Sequence, residues 1–248
     1  MRKYLIVALA GVAAIAFSAV ALGQAGDTAT LTAKVTPKKA GTKKKPKNAT
    51  YTLDVVNDNT KRTMSDLDVF LAKNVKLNLK GMPKCDPDDI FARSCPKSAV
   101  LGTGEAKAKV GVNGDPANVR DLVFKVTAFK TNSPVTGKEM LGFFIDDGAS
   151  LQFLTETTLT KASGKYGQKL HIDVPELAQK VGTPPNVTYN GLESLTAKLT
   201  KKVGKKYLIS TTGCVKKKHP YKVDLTFIDN TVTTAAVLSD TATAACTK

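Results

Sequence analysis

Tyr221-Lys222-Val223-Asp224-Leu225-Thr226-Phe227 places an apolar side chain at every odd position and a polar one at every even position. Successive side chains of an extended strand point to opposite faces, so this heptapeptide has one oily face and one wet face. The same alternation recurs outward in both directions. Leu31, Ala33 and Val35 alternate with Thr32 and Lys34, and Tyr51, Leu53 and Val55 with Thr52 and Asp54. Leu67, Val69 and Leu71 form a further set, followed by Val75, Leu77 and Leu79. Ala106, Ala108, Val110 and Val112, then Leu122, Phe124, Val126 and Ala128, continue the series. Leu170, Ile172 and Val174 precede Leu195, Ala197 and Leu199.

Turn chemistry separates these runs at Asn113-Gly114-Asp115-Pro116, Asp146-Asp147-Gly148, Ser163-Gly164-Lys165 and Pro184-Pro185-Asn186. About a dozen strands follow from this punctuation. Helical periodicity is confined to short turns over Pro87–Arg93 and Pro175–Val181, each with proline at the start. Short antiparallel strands with Gly and Pro turns predict an all-β fold, an antiparallel β-sandwich of immunoglobulin-like or jelly-roll-like type. Leu31-Thr32-Ala33-Lys34-Val35-Thr36 and Leu195-Thr196-Ala197-Lys198-Leu199-Thr200 are alike, which leaves a duplicated sandwich open.

Residues 1–25 read as a signal peptide. Arg2 and Lys3 precede an uncharged run from Tyr4 to Leu22, and Gly23-Gln24-Ala25 offers small residues for cleavage. The run is also long enough to act as a retained anchor. Residues 26–248 are then expected to form a secreted or envelope-associated domain without a further membrane span. The four cysteines, Cys85, Cys95, Cys214 and Cys246, are an even set in an exported chain, which predicts disulfides. Three pairings are possible, and proximity favours Cys85–Cys95 and Cys214–Cys246. The loop-closure model gives roughly 3 kcal/mol for the short loop and about 4 kcal/mol for the longer one. No CxxC spacing exists and the two histidines, His171 and His219, stand far apart, so zinc is not expected.

Charge is strongly lopsided. The chain carries 37 Lys and Arg against 21 Asp and Glu, a formal net charge of +16, and only four of the basic residues are Arg. Lysine is a hydrated point charge without the planar fork of arginine, so the bias is toward diffuse attraction to anionic surfaces rather than specific readout. Lys38, Lys39, Lys43, Lys44, Lys45 and Lys47 crowd the segment 37–47, which has no large apolar residue and reads as a solvated loop. Lys201, Lys202, Lys205 and Lys206 flank Gly204, and Lys216, Lys217 and Lys218 follow Cys214. Two readings are open: lysines that keep a β protein soluble and protect its strand edges, or a footprint for wall polymers or anionic lipid headgroups. Tyr207 and Tyr221 are the only aromatic residues nearby, too few for base stacking, so no specific nucleic acid is expected.

Catalytic signatures are sparse. No GxSxG, HExxH, Walker A or dinucleotide fingerprint occurs, and no cofactor is expected. His171 and Asp173 share a strand face, outward of Leu170, Ile172 and Val174, and are the candidates for the rival reading of a secreted hydrolase with a dispersed site. His219 precedes Pro220 in a basic turn and reads as loop. The five glutamates, with no Trp in the chain to stack on a sugar, do not suggest a glycosidase. Asp86, Asp88 and Asp89, and separately Asp146 and Asp147, could offer oxygens to calcium, but neither group has EF-hand spacing. Acids clustered in turns serve more often as caps.

Met82-Pro83-Lys84-Cys85, and Cys95-Pro96-Lys97-Ser98 running into Ala99-Val100-Leu101-Gly102-Thr103-Gly104, together resemble a pattern of exported actinobacterial β-rich proteins. Their pattern is P-x-C, a short acidic loop, C-P-x-S and a small-residue strand. Ser210-Thr211-Thr212-Gly213-Cys214 resembles their C-terminal part, while the absence of Trp and Asp229-Asn230 after the last alternating strand depart from it. The resemblance implies secretion and a β-rich fold, and carries no catalytic residue. The expectation is a non-enzymatic binding or structural protein.

Overall fold

The alternating segments build two antiparallel sheets that face each other across one oily interior. The structure, a computed structural model, describes residues 28–57, 63–111, 119–181, 187–228 and 236–247. The leader expected over 1–25, and the turns expected at 113–116 and 184–186, lie outside these residues.

In chain order, β1 (Ala29–Thr36), β2 (Lys47–Asn48), β3 (Thr50–Asn57), β4 (Thr63–Ala72) and β5 (Val75–Leu77) precede a short helix α1 (Pro87–Phe91). β6 (Val100–Val110), β7 (Arg120–Asn132), β8 (Glu139–Asp146), β9 (Gln152–Leu154), β10 (Glu156–Lys161) and β11 (Tyr166–Asp173) follow. Then come α2 (Glu176–Gln179), β12 (Lys180–Val181), β13 (Thr188–Leu199), β14 (Lys202–Val203), β15 (Lys206–Tyr207), β16 (Ile209–Thr211), β17 (Lys218–Ile228) and β18 (Ala236–Ala245). There are more elements than the alternation predicts: most of the added strands have two or three residues, too short to show a period, and the longer β8, β10 and β18 lie outside the alternating sets.

The larger sheet runs β1-β3-β13-β6-β7-β8-β9, with β12 on β13, and the smaller runs β10-β11-β4-β17-β18. Every residue singled out in Tyr221–Phe227 behaves as its pattern requires: Tyr221, Val223, Leu225 and Phe227 are at most 2% exposed. They face Tyr51, Leu53 and Val55 of the opposite sheet, and the rings of Tyr51 and Tyr221 lie 5.0 Å apart. The similar hexapeptides flank β3 in identical register: Leu31 and Leu195 both pair with Val55, and Ala33 and Ala197 both pair with Leu53. Equal alternation turns the same face inward on both sides of β3. Both segments lie in one sheet over one core.

The sheets meet along both long seams without a closed ladder. On one side Leu31 N donates to Asp240 Oδ2 at 2.6 Å. On the other, Thr157 Oγ1 donates to Leu141 O at 2.5 Å and Thr155 N to Phe143 O at 3.0 Å, where the chain passes from one sheet to the other. Gly104 is required where β6 meets β13, since a Cβ there would stand 1.9 Å from Thr196 O.

A three-stranded sheet, β2-β16-β5, plugs one end of the sandwich, and Ala49, Val75, Leu77, Leu208 and Ile209 seal it. The Cys85–Cys95 disulfide clips α1 over a separate small cluster of Ile90, Phe129, Met140, Phe144 and Leu154. The Cys214–Cys246 disulfide ties the end of β18 to the turn before β17. Both pairings are those that proximity favoured, and two disulfides indicate an oxidising, extracytoplasmic environment. Among the described residues no helix is long and apolar enough to cross a membrane.

A candidate anion-binding surface

Strand direction decides which loops share the plugged end. β1, β4, β7, β13 and β18 finish there, and β3, β8 and β17 begin there. The segments they deliver are 37–49, 73–84, 133–138, 161–166, 200–206 and 212–218. Together these hold twenty lysines and no aspartate or glutamate; acids stand at their margins, Asp86, Asp88 and Asp89 in the disulfide loop that continues from Lys84 toward β6, and Glu139 at the start of β8. All twenty are exposed except Lys201, which is half-buried. Of the twenty only Lys84 has a carboxylate partner among the described residues, Asp86 at 2.6 Å.

The backbone beneath is tightly tied. Ala40 N donates to Thr247 O, Lys73 N to Lys165 O, Leu208 N to Lys201 O and Cys246 N to Lys217 O, each near 3 Å. Gly81 lies against the Lys206 side chain, so two segments far apart in sequence touch there. The segment 37–47 is therefore not the free loop its composition suggests. It lacks large apolar side chains, but Ala40 is buried, Gly41 N donates to Thr211 Oγ1 and Thr42 N to Lys45 O. Lys38, Lys39, Lys43, Lys44, Lys45 and Lys47 all project into solvent from this fixed frame. Lys202 stands over the Tyr207 ring at 5.9 Å and Lys165 over Tyr166 at 5.3 Å.

Local sequence isolates the loop at 37–47 and the lysines around Gly204 and after Cys214. It does not mark Lys73, Lys76, Lys80, Lys84, Lys138, Lys161 and Lys165 as parts of the same surface. Each stands singly at a strand end or in a turn, with no neighbouring signal to find it by.

Carboxylates concentrate elsewhere and are largely paired. Lys109 meets Asp121 at 2.6 Å, Lys180 meets Glu176, and Arg93 meets Asp146 at 2.8 Å. The Arg93 guanidinium holds the Asp146 carboxyl below its ordinary pKa. Asp146 also accepts Gly148 N, and Asp147 accepts Ala149 N and Leu151 N. Asp89 accepts Ser94 Oγ. These acids act as turn caps and ion-pair partners.

His171 lies on the outer face of β11, as its alternation predicts, with Asp173 two residues along. Asp68 Oδ1 stands 2.7 Å from its Nδ1, while Asp173 and Asp66 stand 3.0 and 3.6 Å from Nε2. Both ring nitrogens thus face carboxylates. A triad needs Nε2 aimed at a hydroxyl or thiol. Here Asp66, His171 and Asp173 present three ligand atoms within 4.8 Å of one another, a set able to hold a divalent cation. A proton on His171 serves the same carboxylates.

His219 corrects the sequence reading. It is fully buried inside β17, with Nδ1 3.2 Å from Asn74 Oδ1, because the alternation of Tyr221–Phe227 extends back one more inward position.

No protein-family model matches the chain, and no curated protein matches it. The functional reading therefore rests on the surface itself.

Proposed function

We propose that the protein is an exported, non-enzymatic binding protein whose lysine-covered end rests on anionic polymers of the cell envelope. One observation carries this reading: twenty lysines gathered from six segments at one end, with carboxylates only at their margins, above a frame fixed by backbone hydrogen bonds and a disulfide.

Like charges gathered this way repel one another and weaken the compact state. Solubility alone would be served as well by lysines spread among acids. A polyanion relieves the repulsion, releases its own counterions and needs no shape match. The scarcity of arginine fits a repetitive phosphate or carboxylate partner better than a bidentate one.

The hydrolase alternative gains nothing from His171, whose Nε2 is aimed at Asp173 and Asp66. The test is binding of the full chain to wall teichoic-acid-type polyphosphate, followed against salt. Affinity falling steeply and linearly on a log–log plot supports the proposal, and affinity indifferent to salt removes it. Stronger retention by anionic vesicles than by the polymer would reassign the partner to lipid headgroups.

A further inference from the structure

Between the two sheets lies a cavity of about 160 Å³. Its walls come from both: Leu67, Val69 and Leu170 on one side, Leu53, Phe124 and Val126 on the other. Protein cores are packed like molecular crystals and leave few voids larger than a water molecule. A space this size is close to that of an engineered apolar cavity that takes up benzene.

The cavity is graded along its length. Its deep half is lined by fully buried side chains next to the plug. Toward the other end its lining residues Leu151, Phe153, Val174 and Leu192 are only half-buried, and Leu177 of α2 is 62% exposed. Among the described residues the apolar lining therefore becomes exposed toward the end opposite the lysines.

Polar demand is placed at specific points of this apolar bore. Asn190 Nδ2 donates to Ala178 O at 3.1 Å, which fixes the amide and leaves Oδ1 buried without a partner among the described residues. Gln152 Oε1 is likewise buried and unpartnered. Both residues line the cavity near its open end. At the deep end Tyr51, 3% exposed, also lines it with an unpartnered hydroxyl. Buried polar atoms in native proteins nearly always find partners. Here a guest would supply them.

We infer that the sandwich is a binding site for an uncharged, mostly apolar small molecule of single-ring or short-chain size, carrying a hydroxyl or amide donor. The Asn190 amide oxygen, fixed by the bond its Nδ2 makes, accepts such a donor and disfavours a carboxylate. The apolar body fills the bore. This inference is independent of the polyanion reading, since the mouth and the lysines occupy opposite ends.

The test uses 1-octanol and sodium octanoate with the intact chain, by calorimetry and thermal unfolding. One-to-one, saturable binding of octanol that raises Tm is expected, with octanoate at least about tenfold weaker because its charge must lose water against acceptor oxygens. Ala106→Phe, which fills the bore from β6, should abolish octanol binding. If that variant does not fold, methyl NMR of the unaltered protein decides. Octanol should shift Val126, Leu170 and Ile172 and leave Ile90 and Leu154 of the outer cluster in place. No saturable binding, octanoate binding as well as octanol, or shifts confined to the outer cluster would overturn the inference.

Discussion

Asp68 of β4 lies directly opposite His171 of β11, and its Oδ1 stands 2.7 Å from the imidazole Nδ1. The pair is a cross-strand contact on the wet face of the smaller sheet. Partial burial works against the imidazolium, but the hydrogen bond that Nδ1 donates to Asp68 and the charges of Asp173, Asp68 and Asp66 outweigh it and raise the pKa above its ordinary value. A histidine whose folded pKa is raised contributes its full stabilisation below the unfolded value, near 6.5, and loses it as pH rises through the folded value. His171→Asn should therefore destabilise by up to about 1 kcal/mol at pH 5.5 and by much less at pH 9. Urea unfolding at the two pH values measures the difference. An equal loss at both would show that the charge is not what matters.

His219 has the opposite sign. Burial lowers its pKa, Nδ1 is engaged by Asn74, and Nε2 has no partner among the described residues. The unfolded chain then binds the proton more readily than the folded one. Stability is complete above about pH 6.5 and is lost as pH falls through the depressed folded value. In His219→Leu this acid-side loss should vanish, whatever the substitution costs at neutral pH. Comparison of the slopes of unfolding free energy between pH 7 and 4.5 reads the effect.

Replacing Lys38, Lys39, Lys43, Lys44, Lys45 and Lys47 together by Gln leaves the backbone bonds of that segment intact. Stability should change by less than about 1 kcal/mol, since exposed charges contribute little and repulsion is relieved. Polyphosphate affinity should drop at low salt, and the salt slope should shrink by up to about 0.9 for each phosphate no longer neutralised. An unchanged slope would place the binding surface elsewhere.

Lys216 and Lys217 both have positive φ, 48° and 63°, in the two-residue turn closed by hydrogen bonds between Val215 and Lys218. Left-handed backbone at two successive residues is the geometry that Asn-Gly adopts with little strain. Lys216→Asn with Lys217→Gly should stabilise the protein by roughly 1 kcal/mol or more, read as a higher denaturation midpoint. A turn so strained and yet lysine-bearing fits a surface kept for its charge. The double variant should bind polyphosphate more weakly while being more stable.

Legibility differs from feature to feature. Strand faces are readable because alternation is a local signal: knowing Val223 is inward fixes Leu225 and Phe227. Where the pattern breaks, reading fails. Pro220 separates His219 from the heptapeptide and suggests a loop, although β17 runs straight through it and pairs His219 with Ala244. Asp68 carries no mark as a partner of His171, because register between β4 and β11 is set by the whole sheet.

The β architecture, the inward and outward faces of its strands and the favoured disulfide partners are all written in the chain, since each depends on residues near one another along it. That six separate segments share one end, so that lysines scattered among turns become one lysine-covered surface, emerges only when the strands assemble. So does the space left between the two inner faces. Both are consequences of strand order and direction, which a local pattern does not encode.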